Sequence, residues 1–206
     1  MLARVLIIAL TVLGLLGIGF VVFTTGINPR SYSMPSGSMA PATVPGEMIF
    51  ASGGFYRSHT PVAGDIVLFN VPRDGELITF IKRVVAGPGD HVKMEHGRLY
   101  LNGAMVERSP LPADPAVHGQ LYLETLPNGR SYEIIETSDQ GPVDEMTEIV
   151  IEPDHYFVLG DNRDRSNDSR NPEFGTVPLA AMADKASIIW MSPDWRRIGK
   201  SLQPDP

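Results

Sequence analysis

Hydrophobic and polar positions along the 206 residues change rhythm once, early in the chain. Residues 5–23 (VLIIALTVLGLLGIGFVVF) carry no charge and a single polar side chain, Thr11. At 1.5 Å per residue such a run reaches roughly 28 Å as a helix, about the thickness of a bilayer's hydrocarbon core. A cleaved export signal would need only about 7–15 apolar residues followed by a small-x-small exit. Val22, Phe23 and Thr24 are a poor exit, so a retained membrane anchor over residues 1–24 is the expectation. Arg4 precedes the run and Arg30 follows it at a distance. That weak bias sets the N-terminus in the cytoplasm and the rest of the chain outside.

Beyond a short linker at 25–30 the pattern becomes short β-branched and aromatic runs punctuated by Gly and Pro, which predicts strands. The expected strands are 47–52, 65–71, 77–86, 148–152, 156–160 and 185–192. A double hairpin is predicted over 91–107, with His96–Gly97 and Asn102–Gly103 as turns, and a further hairpin turns at Asn128–Gly129. Residues 110–119 read as a proline-broken loop, and 178–184 as a short helical turn. No long amphipathic helix and no repeat is apparent. The fold expected is mainly β, with the body of the domain at 31–97 and 148–206 and an inserted hairpin subdomain at 98–147.

A formal net charge of −7 argues against a nucleic-acid partner, which would need a basic face. The absence of cysteine removes disulfides, thiolate metal sites and cysteine nucleophiles. No metal or other cofactor is expected. The five histidines have no distinctive nucleophile context and no G-x-S-x-G elbow occurs, so a conventional Ser-His-Asp triad is disfavoured.

Three segments remain that composition alone does not explain. In MPSGSMAP (residues 34–41), prolines stiffen a loop around Ser38 and Gly37 lets the backbone turn beside it. Such a loop can aim the Ser38 amide and the Ser36 hydroxyl at one point, as an oxyanion hole requires. A plain polar turn after a membrane helix is the competing reading. In TFIKRVV, strand alternation sets Lys82 on one face with Phe80 and Val84. Burial there would disfavour the ammonium and make the amine a usable base, whereas an edge-strand lysine with its head in water is the ordinary alternative. Residues 160–170 (GDNRDRSNDSR) are dense in charged, amide and hydroxyl groups. A calcium loop is a poor match, because the turn glycine and closing glutamate are missing; a solvated hydrogen-bonded loop is the other reading.

Taken together and in this order after a span, the three segments resemble the serine, lysine and third boxes of bacterial type I signal peptidases, membrane-anchored Ser/Lys endopeptidases. The likeness covers residues 1–95 and 147–192. It implies Ser38 as nucleophile, Lys82 as general base and Ser36 with the Ser38 amide as oxyanion hole. Ser166 would hydrogen-bond and orient the lysine head; Arg83, Asp161, Asp168 and Arg170 would brace the site; Met39 and Ile81 would line a pocket for small residues. The resemblance also implies coiled antiparallel sheets, preprotein substrates bearing signal peptides, lipid as a partner, and a single-pass place in the bacterial plasma membrane with the catalytic domain on the extracytoplasmic side. It departs from familiar Gram-negative members in having one span, a modest insertion and no cysteine pair. Two other readings stay open: a specialised processing peptidase of the same chemistry, and a tethered β-domain that binds without catalysis.

Overall fold

The computed structural model describes residues 28–73, 75–115 and 117–204. The expected span at 5–23 lies outside them, and among the described residues no helix is long and apolar enough to cross a membrane. What is described is mainly antiparallel β-sheet with single 3-10 turns.

Strands β1 (Pro29–Ser33), β2 (Met48–Ser52), β3 (Ile66–Arg73) and β4 (Glu76–Ala86) come first among the described residues. β1 is polar and carries Pro29 at its start, which conceals it in the sequence; it pairs with β2 along one margin of the sheet. Next come β5 (His91–Glu95), β6 (Arg98–Leu101) and β7 (Ala104–Met105). Their two connections are the predicted two-residue turns, with positive φ at His96, Gly97, Asn102 and Gly103. Paired left-handed residues give a turn whose twist matches the flanking strands. β8 (Glu107–Pro110), β9 (Gln120–Thr125) and β10 (Ser131–Glu136) follow, then β11 (Met146–Val150), β12 (His155–Leu159), β13 (Val177–Pro178) and β14 (Met182–Met191). The helical turn expected at 178–184 is confined to a 3-10 turn at Leu179–Ala181, because Met182 and Asp184 already pair with Phe69 and Leu68 of β3.

The strands form a seven-stranded sheet in the order β1-β2-β14-β3-β4-β12-β13, a four-stranded sheet β11-β5-β6-β7 and a three-stranded sheet β10-β9-β8. The large sheet is buried on both faces: Ile66 and Leu68 of β3 join one apolar cluster with Met39, Ile49 and Ile189. Val67 and Phe69, the alternate positions, join another with Val84, Tyr156 and Val158. A third cluster, including Val92, Leu99, Ile134, Phe157 and Leu159, binds the two smaller sheets to the large one.

Candidate functional site

Lys82 lies mid-strand in β4, opposite Val67 of β3. It is 3% exposed. Its Nζ donates to Ser38 Oγ at 3.1 Å and to the Ile81 carbonyl at 3.0 Å. Burial pushes this amine below its ordinary value; Asp168 and Asp161 pull the other way and Arg170 adds to the lowering. Desolvation wins because both carboxylates are already committed. Asp161 takes two hydrogen bonds of 2.7 Å from the Arg83 guanidinium, itself stacked 4.0 Å over the Tyr132 ring. Asp168 accepts from Arg170 at 2.8 and 3.0 Å and from the Gly160 amide at 3.0 Å, and these partners hold it below the usual carboxylate range despite burial.

The loop bearing Ser38 is tied at both ends. The Met34 amide donates to Glu47 O and the Gly46 amide to Met34 O. Asn162 clamps its centre, its amide donating to Ser38 O at 3.1 Å and its Nδ2 to Gly37 O at 3.2 Å. Beneath the loop, Glu47 is fully buried and bonded by Arg197, whose guanidinium also donates to the Pro41 and Ala42 carbonyls. Ser36 Oγ stands 3.3 Å from Ser38 Oγ. Two cavities meet at these serines. One, about 250 Å³, is walled by Tyr32, Met34, Leu68, Phe80 and Ile81 and has Lys82 in its lining. The other, about 800 Å³, is more polar and runs past Asn162 and Arg165.

Two residues sit elsewhere than expected. Ser166 Oγ is buried and makes no hydrogen bond, so it does not donate to or accept from the lysine head. It is pressed against Gly160, where an added Cβ would fall 2.2 Å from it. That position is near enough to the Asp168 carboxylate to help keep it ionised, although hydrogen-bond geometry is not reached. Met39 turns inward into the core beside Ile49 and Leu68, at 1% exposure, and lines neither cavity; Ile81 does. Its apolar side chain anchors the loop from below.

Several participants gave no sign in the sequence. Arg163 is buried and bonded through both terminal nitrogens to Glu124, which also accepts from Tyr132 at 2.7 Å. This joins β9 and β10 to the loop carrying Asp161. Only charge density at 160–170 hinted at it; Glu124 looks like any solvated strand residue. The calcium loop disfavoured from the sequence is not formed either, since Asp164 accepts from the Thr137 and Ser138 amides while Asp168 is held by Arg170. The carboxylates that do cluster are Glu136, Asp144 and Asp164, with oxygens within 4.8 Å of one another. Arg108, the Gly141 amide and the Thr137 amide already occupy an oxygen on each.

A serine hydroxyl against a buried amine of lowered pKa, with a second hydroxyl alongside, suits acyl transfer. A family model described as signal peptidase, peptidase S26, matches residues 3–191. The chain belongs to this family. Signal peptidase I of Pseudomonas aeruginosa is 32% identical over 206 aligned residues, which cover 82% of this chain and 70% of the relative. Signal peptidase I of Rickettsia prowazekii is 33% identical over 190, covering 78% and 71%. A crystal structure of a signal peptidase I from Enterococcus faecalis V583 aligns at 27% identity over 60% of this chain and 94% of that one, with a TM-score of 0.35. Peptidase S26 membership makes the chain an enzyme, a peptidase of the serine class, in agreement with the resemblance carried by the three boxes.

Proposed function

We propose that this peptidase removes signal peptides from secreted preproteins with Ser38 as nucleophile and Lys82 as general base. The observation that carries the assignment is the 3.1 Å contact between the two in a site where burial lowers the pKa of the amine. One hydrogen of a neutral Nζ is spent on the Ile81 carbonyl, which leaves its lone pair free to take the Ser38 proton. Oγ attacks the scissile carbonyl, and the oxyanion that develops is received by the Ser36 hydroxyl and the Ser38 amide. The Lys82 ammonium then returns the proton to the leaving amine. Water, activated by the same amine, hydrolyses the acyl-enzyme and restores the serine.

The apolar 250 Å³ cavity beside Ser38 offers the side chain that precedes the cut a place to lie, and the preference for small residues there rests on the resemblance carried by the three boxes. Asp161, Asp168, Arg83 and Arg170 act by position: they pair with one another so that no unpaired carboxylate is left to favour the ammonium form of the lysine. Preproteins bearing signal peptides and membrane lipid are the partners this reading requires. The apolar run at 5–23 supports a plasma-membrane anchor with the β-domain on the extracytoplasmic side. Exposed apolar side chains, Trp195 at 78% exposure, Ile198, Met191 and the stacked Phe50–Trp190 pair, are suited to meet lipid.

The test uses the full chain in detergent with a model preprotein, the cut being mapped by mass spectrometry. Wild type should cut after a small residue, while Ser38→Ala and Lys82→Ala should each lose about 10³-fold or more in kcat/KM. Full rate in either variant would remove the assignment.

A further inference from the structure

Ser38 stands where two dissimilar cavities meet, and both include Ser36 and Ser38 in their lining. An extended chain whose carbonyl lies on Ser38 must leave it in both directions. The smaller, apolar cavity takes the signal-peptide side, so the larger one receives the residues that follow the cut. Its charges are unequal in what they have left to offer. Asp194 is engaged by Arg196 with two contacts of 2.9 Å, Arg197 by Glu47 at 2.6 Å, and Asp114 has a partner of its own. Arg165 lines the same cavity, is exposed, and its side chain makes no hydrogen bond or ion pair among the described residues.

The position of Arg165 is nevertheless fixed. It closes the 3-10 turn Arg163–Arg165, its amide donates to Asn162 O, and both residues before it are pinned, Arg163 by Glu124 and Asp164 by the Thr137 and Ser138 amides. Asn162, on the same turn, holds the Ser38 and Gly37 carbonyls. An unpaired guanidinium is thus carried on the element that clamps the nucleophile loop. We infer that Arg165 is a specificity-determining residue, selecting preproteins with an acidic side chain in the first positions of the mature chain. Guanidinium and carboxylate match in a two-point geometry that an amide or ammonium does not offer.

This deepens the proposed signal-peptide cleavage and rests on it. The test compares peptides of one signal sequence, with Glu, Gln or Lys at the first two positions after the cut, on the full chain in detergent. For wild type, kcat/KM should favour Glu over Gln by about two- to fivefold, the range of an exposed ion pair, and the ratio should shrink in high salt. In Arg165→Gln the Glu/Gln ratio should fall to about one, and in Arg165→Glu the Lys peptide should become preferred. A purely structural role for Arg165 would slow all three peptides alike and keep the ratio, which overturns this inference alone. Ratios insensitive to charge in wild type do the same. If none of the peptides is cut in a Ser38-dependent way, the proposed function falls, and this inference with it.

Discussion

At Lys82 the requirements of chemistry and of stability oppose each other. Burial lowers the lysine pKa below its ordinary value, so the folded protein holds fewer protons there than the unfolded chain. Two consequences follow with determined sign. The base is active only when deprotonated, so kcat/KM should climb with pH through the folded-state pKa of Lys82 and level above it. A profile flat from acid to alkaline pH, measured on a short peptide under single-turnover conditions, would rule out Lys82 as the base. Keeping an amine in an apolar setting also costs stability at neutral pH, where the unfolded chain readily protonates it. Lys82→Met removes that cost while filling similar volume, and should raise Tm by roughly 2–4 °C, about 1 kcal/mol, as it abolishes cleavage. A lower Tm would mean that the amine contributes more through its bonds to Ser38 and Ile81 than burial takes away.

Strands and loops determine whether these two side chains meet, and much of that level was legible. β2, β3, β4, β12 and β14 of the large sheet announce themselves as β-branched and aromatic runs between Gly and Pro, and the two turns joining β5, β6 and β7 by His-Gly and Asn-Gly. β1 and β8 stayed hidden because PRSYS and ERSP are polar and marked by proline; their strand character comes from a neighbour's free edge, a tertiary cause. The Ser166 and Met39 placements were missed for a related reason, since a box in sequence does not say which way a side chain turns inside a packed loop. Gly160 shows how tightly that packing is drawn. Its φ is not left-handed, yet a Cβ there would fall 2.2 Å from Ser166 Oγ and 2.6 Å from the Ser38 carbonyl. Gly160→Ala should therefore push the serine loop off β12's end, costing about 1–3 kcal/mol of stability and at least ~10-fold in kcat. Urea unfolding together with single-turnover rates measures both; an alanine variant with wild-type kcat would show that the loop yields freely.

Across the whole molecule, buried charge rather than apolar area alone joins the smaller sheets to the site. Arg163–Glu124 links β9 to the clamp turn, and Arg170 approaches Asp144 at 3.9 Å beyond its bonds to Asp168. None of these long-range pairs has a signature in one dimension, which is why the sequence reveals the reacting residues more readily than their supports. At the far end of these pairs lies Glu136, bonded by Arg108 through one oxygen while the other is buried without a hydrogen-bond partner, with the Asp164 carboxyl within 4.8 Å. Desolvation and that neighbour raise Glu136 from 4.5 to about 8. Here the folded state keeps a proton that the unfolded chain has released, so stability falls as pH rises from about 4.5 to about 8 and is level above. Glutamine copies the protonated form, its carbonyl accepting from Arg108 and its amide donating to Asp164. Glu136→Gln should be more stable than wild type by on the order of 2 kcal/mol at pH 9 and nearly equal to it at pH 5. Denaturant unfolding of both chains at pH 5, 7 and 9 reads this directly, and a difference that does not change with pH would refute a proton held at Glu136. Raising the pH thus frees the base at Lys82 and relieves the cost of holding its amine neutral, while ionising Glu136 loosens the joint behind it, so the two buried groups move stability in opposite directions.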